Sequence, residues 1–123
     1  MNQLHNLLLG KIGENLAKQF LRKKGYTIIE SNFHKRAGEL DLIATNHDTL
    51  VFIEVKCRIG TQYGLPEESV TPWKIRTLEK SAMYYKNKHP DTPDAMRIDV
   101  VSIILNHDNT LHRIKHFENV SGF

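Results

Sequence analysis

The feature that most constrains the fold is an apolar run, Leu-Val-Phe-Ile at 50–53, directly followed by Glu-Val-Lys at 54–56. Side chains alternate between the two faces of a β-strand, so an unbroken apolar run is typical of a strand that is covered on both faces. A second β-prone segment at 39–45 precedes it, and residues 46–49 between the two have turn composition. We therefore expect a β-hairpin whose second strand lies in the middle of a sheet.

The rest of the chain predicts an α/β fold, a mixed sheet of about five strands flanked by helices. In chain order the predicted elements are a helix at 7–24, a strand at 26–30, the two hairpin strands, a helix that begins after the N-cap Thr71, and strands at 98–105 and 111–117. Residues 31–38 are expected to form a polar loop, and residues 60–69 an irregular segment. A length of 123 residues fits one domain, 1–123.

The charge balance permits a nucleic-acid partner without requiring one. Lys and Arg total 17 and Asp and Glu total 14, a formal net charge of +3, which is mildly basic. The single cysteine, Cys57, cannot form an intramolecular disulfide and is typical of a reducing compartment. The early apolar run at 7–9 is too short for a signal peptide or a membrane span. We therefore expect a cytoplasmic protein with no membrane partner.

The hairpin brings charged residues together at the end of its apolar segment. If the strand ends next to the turn pair with each other, Asp41 lies opposite Glu54. The same register places Glu39 opposite Lys56. Directly opposed side chains have Cβ atoms about 4.5–5.5 Å apart, and like charges in that position destabilise a sheet. Two carboxylates at the end of a buried strand therefore need a compensating cation.

A divalent metal ion is the cation that fits this pattern. Mg²⁺ takes oxygen ligands, keeps several waters and needs roughly one or two carboxylates from the protein. Lys56 adds a positive charge close to where an attacking water would lie. Such a site can lower the pKa of a water and polarise a phosphoryl oxygen. The alternative is that Glu54 and Lys56 form an ordinary surface ion pair, which contributes little to stability.

Two motifs carry a family resemblance. Gly-Glu-Leu-Asp-Leu-Ile at 38–43, followed by Phe-Ile-Glu-Val-Lys-Cys-Arg at 52–58, resembles the YraN family of uncharacterised bacterial proteins, UPF0102. That family is similar to archaeal Holliday junction resolvases and other restriction-endonuclease-like nucleases with a PD-(D/E)xK site. The resemblance covers almost the whole chain and includes Gly13-Glu14, Gly25-Tyr26, 66–68, Val70-Thr71 with Lys74, and 97–101. It implies a restriction-endonuclease-like version of the α/β fold.

The resemblance also implies roles for individual residues. Asp41 and Glu54 match the metal-binding carboxylates of these nucleases. Lys56 matches the lysine that orients or activates the attacking water. Glu14 matches an acid of the first helix that joins the metal site, although it also fits an ordinary helix-surface ion pair with the lysine one turn later. Glu39 matches the acid of the Gly-Glu-[Ile/Leu]-Asp-Leu motif, whose role is less defined.

The function implied by the resemblance is hydrolysis of phosphodiester bonds in DNA, branched or otherwise structured, by a Mg²⁺- or Mn²⁺-dependent endonuclease. Four basic residues are candidate phosphate contacts: Lys35, Arg36, Arg58 and Lys74. The alternative for these residues is a solvated surface. Many relatives have glutamine directly after Lys74 where this chain has Ile75, so the chain lacks the contact that a glutamine there could make.

Several other residues have competing interpretations. Three aromatic residues are candidates for stacking on unpaired bases, although such residues more often lie in a core or at its rim: Trp73, Tyr63 and Tyr84. Asp99 lies in an apolar strand and needs a partner, for which we expect Arg97 or a loop donor. Cys57 is expected to pack in the core and not to act as a catalytic thiol.

Two other classes of function remain open. The chain can be a nucleic-acid-binding module that keeps a nuclease fold without turnover, or an adaptor for a protein partner. The presence of Asp41, Glu54 and Lys56 together favours the enzyme. The sequence does not choose between a monomer and a homodimer, or between DNA and RNA.

Overall fold

A computed structural model of the chain describes residues 3–35 and 38–123. Its helices and strands, in chain order, are α1 (Gln3–Lys23), β1 (Thr27–Lys35), β2 (Gly38–Asn46), β3 (Thr49–Ile59), a single 3₁₀ turn η1 (Pro66–Ser69), α2 (Pro72–Lys88), β4 (Ala95–Leu105) and β5 (Leu111–Phe117). The predicted order of helices and strands is confirmed. Arg36, one of the candidate phosphate contacts, lies outside the described residues, as does the side chain of Lys35.

The strands form one mixed sheet in the order β1-β2-β3-β4-β5. Neighbouring strands are antiparallel except β3 and β4, which run parallel. A parallel pair needs a long crossover connection, and α2 provides it. β3 therefore lies in the middle of the sheet, as the apolar run at 50–53 predicts, and the α/β class is confirmed.

Each face of the sheet is covered by a helix. The core between α1 and the sheet contains Ala17, Leu21, Leu42, Val51, Ile53 and Val101. The core between α2 and the sheet contains Leu40, Ile43, Leu50, Phe52, Leu78 and Ala82. Alternate residues of β3 thus face different helices, and all of residues 50–53 are at most 2 % exposed. Burial on both faces fixes the register of β3, because a slip of one residue would exchange the two faces.

α2 begins where the sequence predicts it. The Thr71 hydroxyl accepts a hydrogen bond from the Lys74 N–H at 3.1 Å, and Pro72 stands in the first turn. This N-cap satisfies one of the N–H groups that the first turn of a helix leaves without a partner. Lys74 precedes the buried Leu78 by one helical turn, so both side chains lie on the face that packs on the sheet.

Two predicted boundaries are wrong. Residues 31–35 belong to β1 and pair with β2, where the sequence predicts a polar loop. β1 is an edge strand, so polar residues are tolerated along it while Phe33 is buried. α1 begins at Gln3 instead of residue 7. The first turns of α1 carry exposed residues such as Leu4, which is 65 % exposed. The apolar stripe that predicts the helix does not extend into these turns.

Asp99 is fully buried in β4 and has the partners that its position demands. Its carboxylate accepts hydrogen bonds from Arg97 Nε at 3.0 Å, His116 Nε2 at 2.8 Å, the Tyr26 hydroxyl at 3.2 Å and the Asn119 N–H at 2.9 Å. Burial by itself would raise the pKa of Asp99, but the bonds from His116 and Arg97 outweigh it and lower that pKa. The expected Arg97 and loop donors are both confirmed, and the group is structural.

The structure also bears on the thiol and on membrane association. Cys57 packs against the core under α1, as expected. Burial raises the pKa of its thiol to about 11, so the reactive thiolate is scarce at neutral pH. Neither helix in the described part of the chain is long and apolar enough to span a membrane.

Candidate active site

The hairpin of β2 and β3 has the predicted register, and the acidic residues lie at its open end. The paired positions begin at the turn and end with Leu42 opposite Ile53. Beyond this pair, the Val55 N–H donates to the Asp41 carboxylate at 2.9 Å. A side chain thus accepts a hydrogen bond from the backbone of the neighbouring strand. This contact holds Asp41 beside Glu54, as the register predicts.

A local irregularity in β1 and β2 sets the direction of Asp41. Asn32 is the β1 residue across from Asp41, and its φ of 56° lies in the left-handed region, which Asn tolerates better than most residues. Leu42 packs under α1, whereas Leu40 packs under α2. Strict alternation would put both leucines on one face. β2 therefore changes its facing at Asp41, and irregularities that re-aim a side chain in this way are common next to functional sites.

The Asp41 and Glu54 carboxyl groups lie close enough to interact, and Glu54 is only 5 % exposed. Burial, and after it the negative charge of Glu54, raise the pKa of Asp41 to about 7. The Val55 N–H and the Lys56 ammonium lower this pKa but do not offset the increase. Two carboxylates held this close are costly to ionise together unless a cation binds between them.

Two ammonium groups contact the Glu54 side of this pair. Lys56 Nζ lies 3.6 Å and Lys74 Nζ lies 3.5 Å from Glu54 Oε2. Lys56 shares a face of β3 with Glu54, and Lys74 comes from the first turn of α2. Each lysine side chain is 34 % exposed, so a further anion can reach both. The sequence predicts Lys74 only as a phosphate contact; its spacing from the core residue Leu78 is the signal that it faces the sheet.

Glu14 of α1 lines one cleft with Asp41. The cleft has a volume of about 350 Å³, and its lining residues are Asn6, Leu7, Gly10, Lys11, Glu14, Asn32, Asp41 and Val55. Glu14 Oε1 accepts a hydrogen bond from Asn32 Nδ2 at 3.1 Å and lies 3.3 Å from Lys18 Nζ. Glu14 therefore lies next to the candidate site, as expected, and it also forms the expected helix-surface ion pair with Lys18.

The chemistry of Asp41 and Glu54 fits the oxygen ligands of a divalent metal ion. Within residues 3–35 and 38–123, no three His, Cys, Asp or Glu side chains lie close enough together to hold a metal ion. The expected set of three carboxylates is therefore not assembled, because Glu14 is held by Asn32 and Lys18. Mg²⁺ needs roughly one or two protein carboxylates and takes its other ligands from waters or phosphate oxygens. The carboxylate pair meets that requirement.

Glu39 lies apart from the carboxylate pair. Its side chain is 68 % exposed and its carboxylate lies 3.0 Å from His34 Nδ1 on β1. The prediction that Glu39 lies opposite Lys56 is wrong. The pairing of β2 with β3 ends at Leu42, and β2 changes its facing at Asp41. The strict alternation on which the expectation depends does not hold there.

Arg58 is the candidate phosphate contact on β3. It follows Lys56 by two residues and therefore lies on the same face of the strand. Its Nη1 donates to the Tyr63 carbonyl at 3.1 Å, which ties the loop after β3 to the strand that carries the site. Ile75, which follows Lys74, is half-buried.

An ion pair between Glu67 and Arg113, close to Lys56, holds η1 on the sheet. The sequence does not predict it. Lys56 is adjacent to Ser102 in the parallel pairing of β3 with β4. The Ser102 hydroxyl donates to Glu67 Oε1 at 2.6 Å, and Arg113 Nη2 donates to the same carboxylate at 2.9 Å. These bonds lower the pKa of Glu67 against the opposing effect of burial. By holding η1, they fix the start of the segment that leads to Lys74.

Comparison with known proteins gives the relatives of the chain. The uncharacterised protein family UPF0102 matches residues 13–103. A UPF0102 protein of Syntrophomonas wolfei is 48 % identical over 114 residues, which are 93 % of this chain and 97 % of that protein. A UPF0102 protein of Pelotomaculum thermopropionicum is 40 % identical over 112 residues, or 91 % of this chain and 93 % of that protein. One of Clostridium acetobutylicum is 40 % identical over 114 residues, or 93 % of each chain.

Proposed function

The chain belongs to the uncharacterised protein family UPF0102, and from the geometry of its carboxylate pair we propose that it is a metal-dependent nuclease that hydrolyses phosphodiester bonds in DNA. The observation that carries this proposal is the contact between Asp41 and Glu54 at the open end of a hairpin, with Lys56 Nζ 3.6 Å from Glu54. A buried pair of acids with a lysine beside it has no evident value for stability. It has the composition of a site for a divalent ion and an attacking water.

The described residues divide into three roles. Asp41 and Glu54 would hold a Mg²⁺ or Mn²⁺ ion through their oxygens, and Glu14, which lines a cleft with Asp41, would accept hydrogen bonds from water there. Such an ion would polarise the phosphoryl oxygen and lower the pKa of a water. Lys56 would orient that water and offset the negative charge that develops on the phosphoryl oxygens. Lys74 contacts Glu54 and, with a side chain 34 % exposed, would also contact a phosphate.

The substrate is proposed from chemistry and from the resemblance together. A chain with net charge +3 attracts a phosphate backbone weakly, which suits a partner recognised by structure more than by charge alone. The resemblance to Holliday junction resolvases favours branched or otherwise structured DNA. The acids on the second and third strands of the αβββαββ order also agree with the restriction-endonuclease-like arrangement that the resemblance implies.

The test is cleavage of a panel of blunt duplex, single-stranded, flap and four-way DNA with Mg²⁺ and with Mn²⁺. The wild-type chain should cut at least one branched form, and Glu54→Gln and Lys56→Ala should each lower the rate by on the order of 10²-fold or more. Glu39→Gln is the matched control, because it removes a carboxylate of the same motif that lies outside the pair. Cleavage by purified Glu54→Gln at the wild-type rate would overturn the proposal.

A second function, a binding module without turnover, is favoured by one observation. Glu54 is already held by two lysines, and Glu14 by Lys18 and Asn32, so the acids are partly neutralised before any metal binds. Calorimetric titration of Mn²⁺ in the presence of four-way DNA separates the two functions. DNA binding without metal binding and without cleavage would favour the module. Binding of metal followed by cleavage would favour the enzyme.

A further inference from the structure

Trp73 and Tyr63 are the most exposed aromatic side chains in the described part of the chain, where most aromatic residues are packed. Trp73, the single tryptophan, is 67 % exposed, and Tyr63 is 84 % exposed. By contrast, Phe33, Phe52 and Tyr85 form edge-to-face contacts in the core under α2. Leaving large rings in water forgoes the burial that usually stabilises them. Trp73 and Tyr63, here called the aromatic pair, therefore need an explanation other than folding.

Both members of the aromatic pair are attached to residues of the candidate active site. Trp73 directly precedes Lys74, whose Nζ lies 3.5 Å from Glu54. The Tyr63 carbonyl accepts a hydrogen bond from Arg58 Nη1 at 3.1 Å, and Arg58 shares a face of β3 with Glu54. Trp73 thus neighbours a site residue in α2, and Tyr63 lies in the loop that Arg58 ties to β3.

The backbone that carries each ring is held in place. On α2, the Thr77 hydroxyl donates to the Trp73 carbonyl at 3.1 Å, and the N-cap Thr71 fixes the start of the helix. In the loop, a turn with the Gly64 N–H bonded to the Thr61 carbonyl at 3.0 Å encloses Tyr63. A ring on a fixed backbone loses less conformational entropy on binding than a ring on a mobile one.

Several basic residues occur on the elements that adjoin the aromatic pair, and they favour an anionic partner with flat faces. The basic residues on the adjoining part of β3 and α2 are Lys56, Arg58, Lys74, Arg76 and Lys80. Nucleic acid combines negative phosphates with aromatic bases, and each base that stacks on a protein ring contributes about 1–3 kcal/mol. The bases of an intact duplex already stack on each other and offer no free face, whereas unpaired nucleotides do.

We propose that Trp73 and Tyr63 stack on unpaired bases next to the carboxylate pair, so that the preferred substrate is DNA with unpaired nucleotides beside the phosphodiester to be cut. The proposal rests on the proposed nuclease function for its site and extends it to a class of substrate. Under this proposal, stacking on the two rings causes the preference for structured DNA, and metal binding does not.

Because the chain has a single tryptophan, its fluorescence reports directly on Trp73. Glu54→Gln protein, which keeps DNA intact, is titrated in Mg²⁺ with a blunt duplex and with the same duplex bearing a single-stranded flap. The flap should quench the fluorescence, while the blunt duplex should leave it nearly unchanged. Trp73→Ala, measured with labelled DNA, should bind the flap substrate about tenfold more weakly and the blunt duplex equally well.

Two further variants distinguish stacking from other causes. Trp73→Phe keeps a ring and should recover most of the affinity for the flap, whereas Trp73→Leu keeps only apolar bulk and should not. Leu111→Ala is the matched control, because it removes an exposed apolar side chain, 45 % exposed, from β5. The proposal is overturned if the blunt duplex quenches Trp73 as strongly as the flap, or if Trp73→Leu binds the flap like the wild-type chain.

The outcomes separate this inference from the proposed nuclease. Quenching by the flap together with no cleavage by the wild-type chain would overturn the proposed nuclease function and support base stacking on Trp73. Cleavage with no difference between flap and blunt DNA would do the reverse. If no DNA of the panel binds at any salt concentration, both proposals fail, and a protein partner becomes the occupant of the aromatic pair.

Discussion

Lys74 Nζ lies 3.5 Å from Glu54 Oε2, so the first turn of α2 and the middle strand of the sheet meet at the candidate active site. The contact depends on where the helix begins, since Thr71 caps that turn through the Lys74 N–H. Capping is usually a matter of helix stability. Here it also fixes the position of a charge that neutralises a buried carboxylate, and this link between stability and site chemistry leads to the first prediction.

Replacement of Thr71 by Ala should lower the free energy of unfolding by about 1 kcal/mol, because the Lys74 N–H loses its hydrogen-bond acceptor. It should also reduce nuclease activity by loosening Lys74, without removing any group of the site. Urea denaturation and cleavage of branched DNA are the two measurements. Thr110→Ala is the control: it removes an exposed hydroxyl from the turn between β4 and β5. A loss of activity in Thr110→Ala equal to that in Thr71→Ala would contradict the role of the cap.

Replacement of Asp41 by Asn should abolish cleavage and yet stabilise the fold at pH 8, by about 1–2 kcal/mol. The pKa of Asp41 is raised from 3.8 to about 7 by burial and by Glu54. Between these values the folded chain keeps a proton that the unfolded chain loses, so wild-type stability falls as pH rises through this range. The amide carries no such charge and can still accept from the Val55 N–H.

Urea denaturation at pH 4 and at pH 8 measures this effect. The advantage of Asp41→Asn over the wild-type chain should be small at pH 4 and larger at pH 8. Mg²⁺ at pH 8 should then stabilise the wild-type chain more than the variant, because an ion that binds only the folded carboxylates favours folding. An equal difference between the two proteins at both pH values would contradict the prediction.

Replacement of Asp99 by Asn should destabilise the fold by about 3–5 kcal/mol, since Arg97 and its neighbours then lose a buried anion. Hydrogen bonds from His116 and Arg97 lower the pKa of Asp99 below its ordinary value of 3.8. The stability that its charge provides is therefore complete above that value and is lost as pH falls through the lowered pKa. The wild-type chain and the variant should converge in thermal melts as pH falls through the lowered pKa of Asp99. Asp94→Asn, which changes an exposed acid, should leave the melting temperature unchanged.

Two glycines of α1 should respond to alanine with opposite signs. A Cβ at Gly13 would lie 2.6 Å from Cys57 Cβ, so Gly13→Ala should cost about 1–3 kcal/mol through overpacking. A Cβ at Gly10 would meet nothing within 4 Å, so Gly10→Ala should gain about 0.5–1 kcal/mol from helix propensity. Chemical denaturation of both variants is the measurement. Equal stability of the two variants would show that α1 does not approach Cys57 so closely.

The sequence predicts the middle of the molecule better than its edges. The apolar run at 50–53 has one interpretation, a strand covered on both faces, and it fixes the hairpin register and the meeting of Asp41 with Glu54. β1 offers no such pattern. Its outer side faces solvent, so residues 31–35 resemble a loop in composition while they pair with β2.

The site itself is only partly visible in the sequence, because two of its determinants are geometric. The left-handed φ of Asn32 and the change of facing in β2 break the alternation on which side-chain placement depends. This break carries Glu39 out of the site. Lys74 comes from a distant segment, and its contact with Glu54 needs the crossover between β3 and β4 to be known. No local pattern contains that information.

The crossover also implies an order of assembly in time. The strands that bring Asp41 and Glu54 together are neighbours in the chain, so they can pair as soon as residues 38–59 have been synthesised. Lys74 and Ser102 arrive only when α2 has folded back and β4 has paired with β3, a contact of long sequence separation. A nascent chain therefore presents Asp41, Glu54 and Lys56 before Lys74, the second cation on Glu54. A divalent ion that binds this carboxylate pair, as proposed, should therefore favour the paired hairpin before the rest of the sheet has formed.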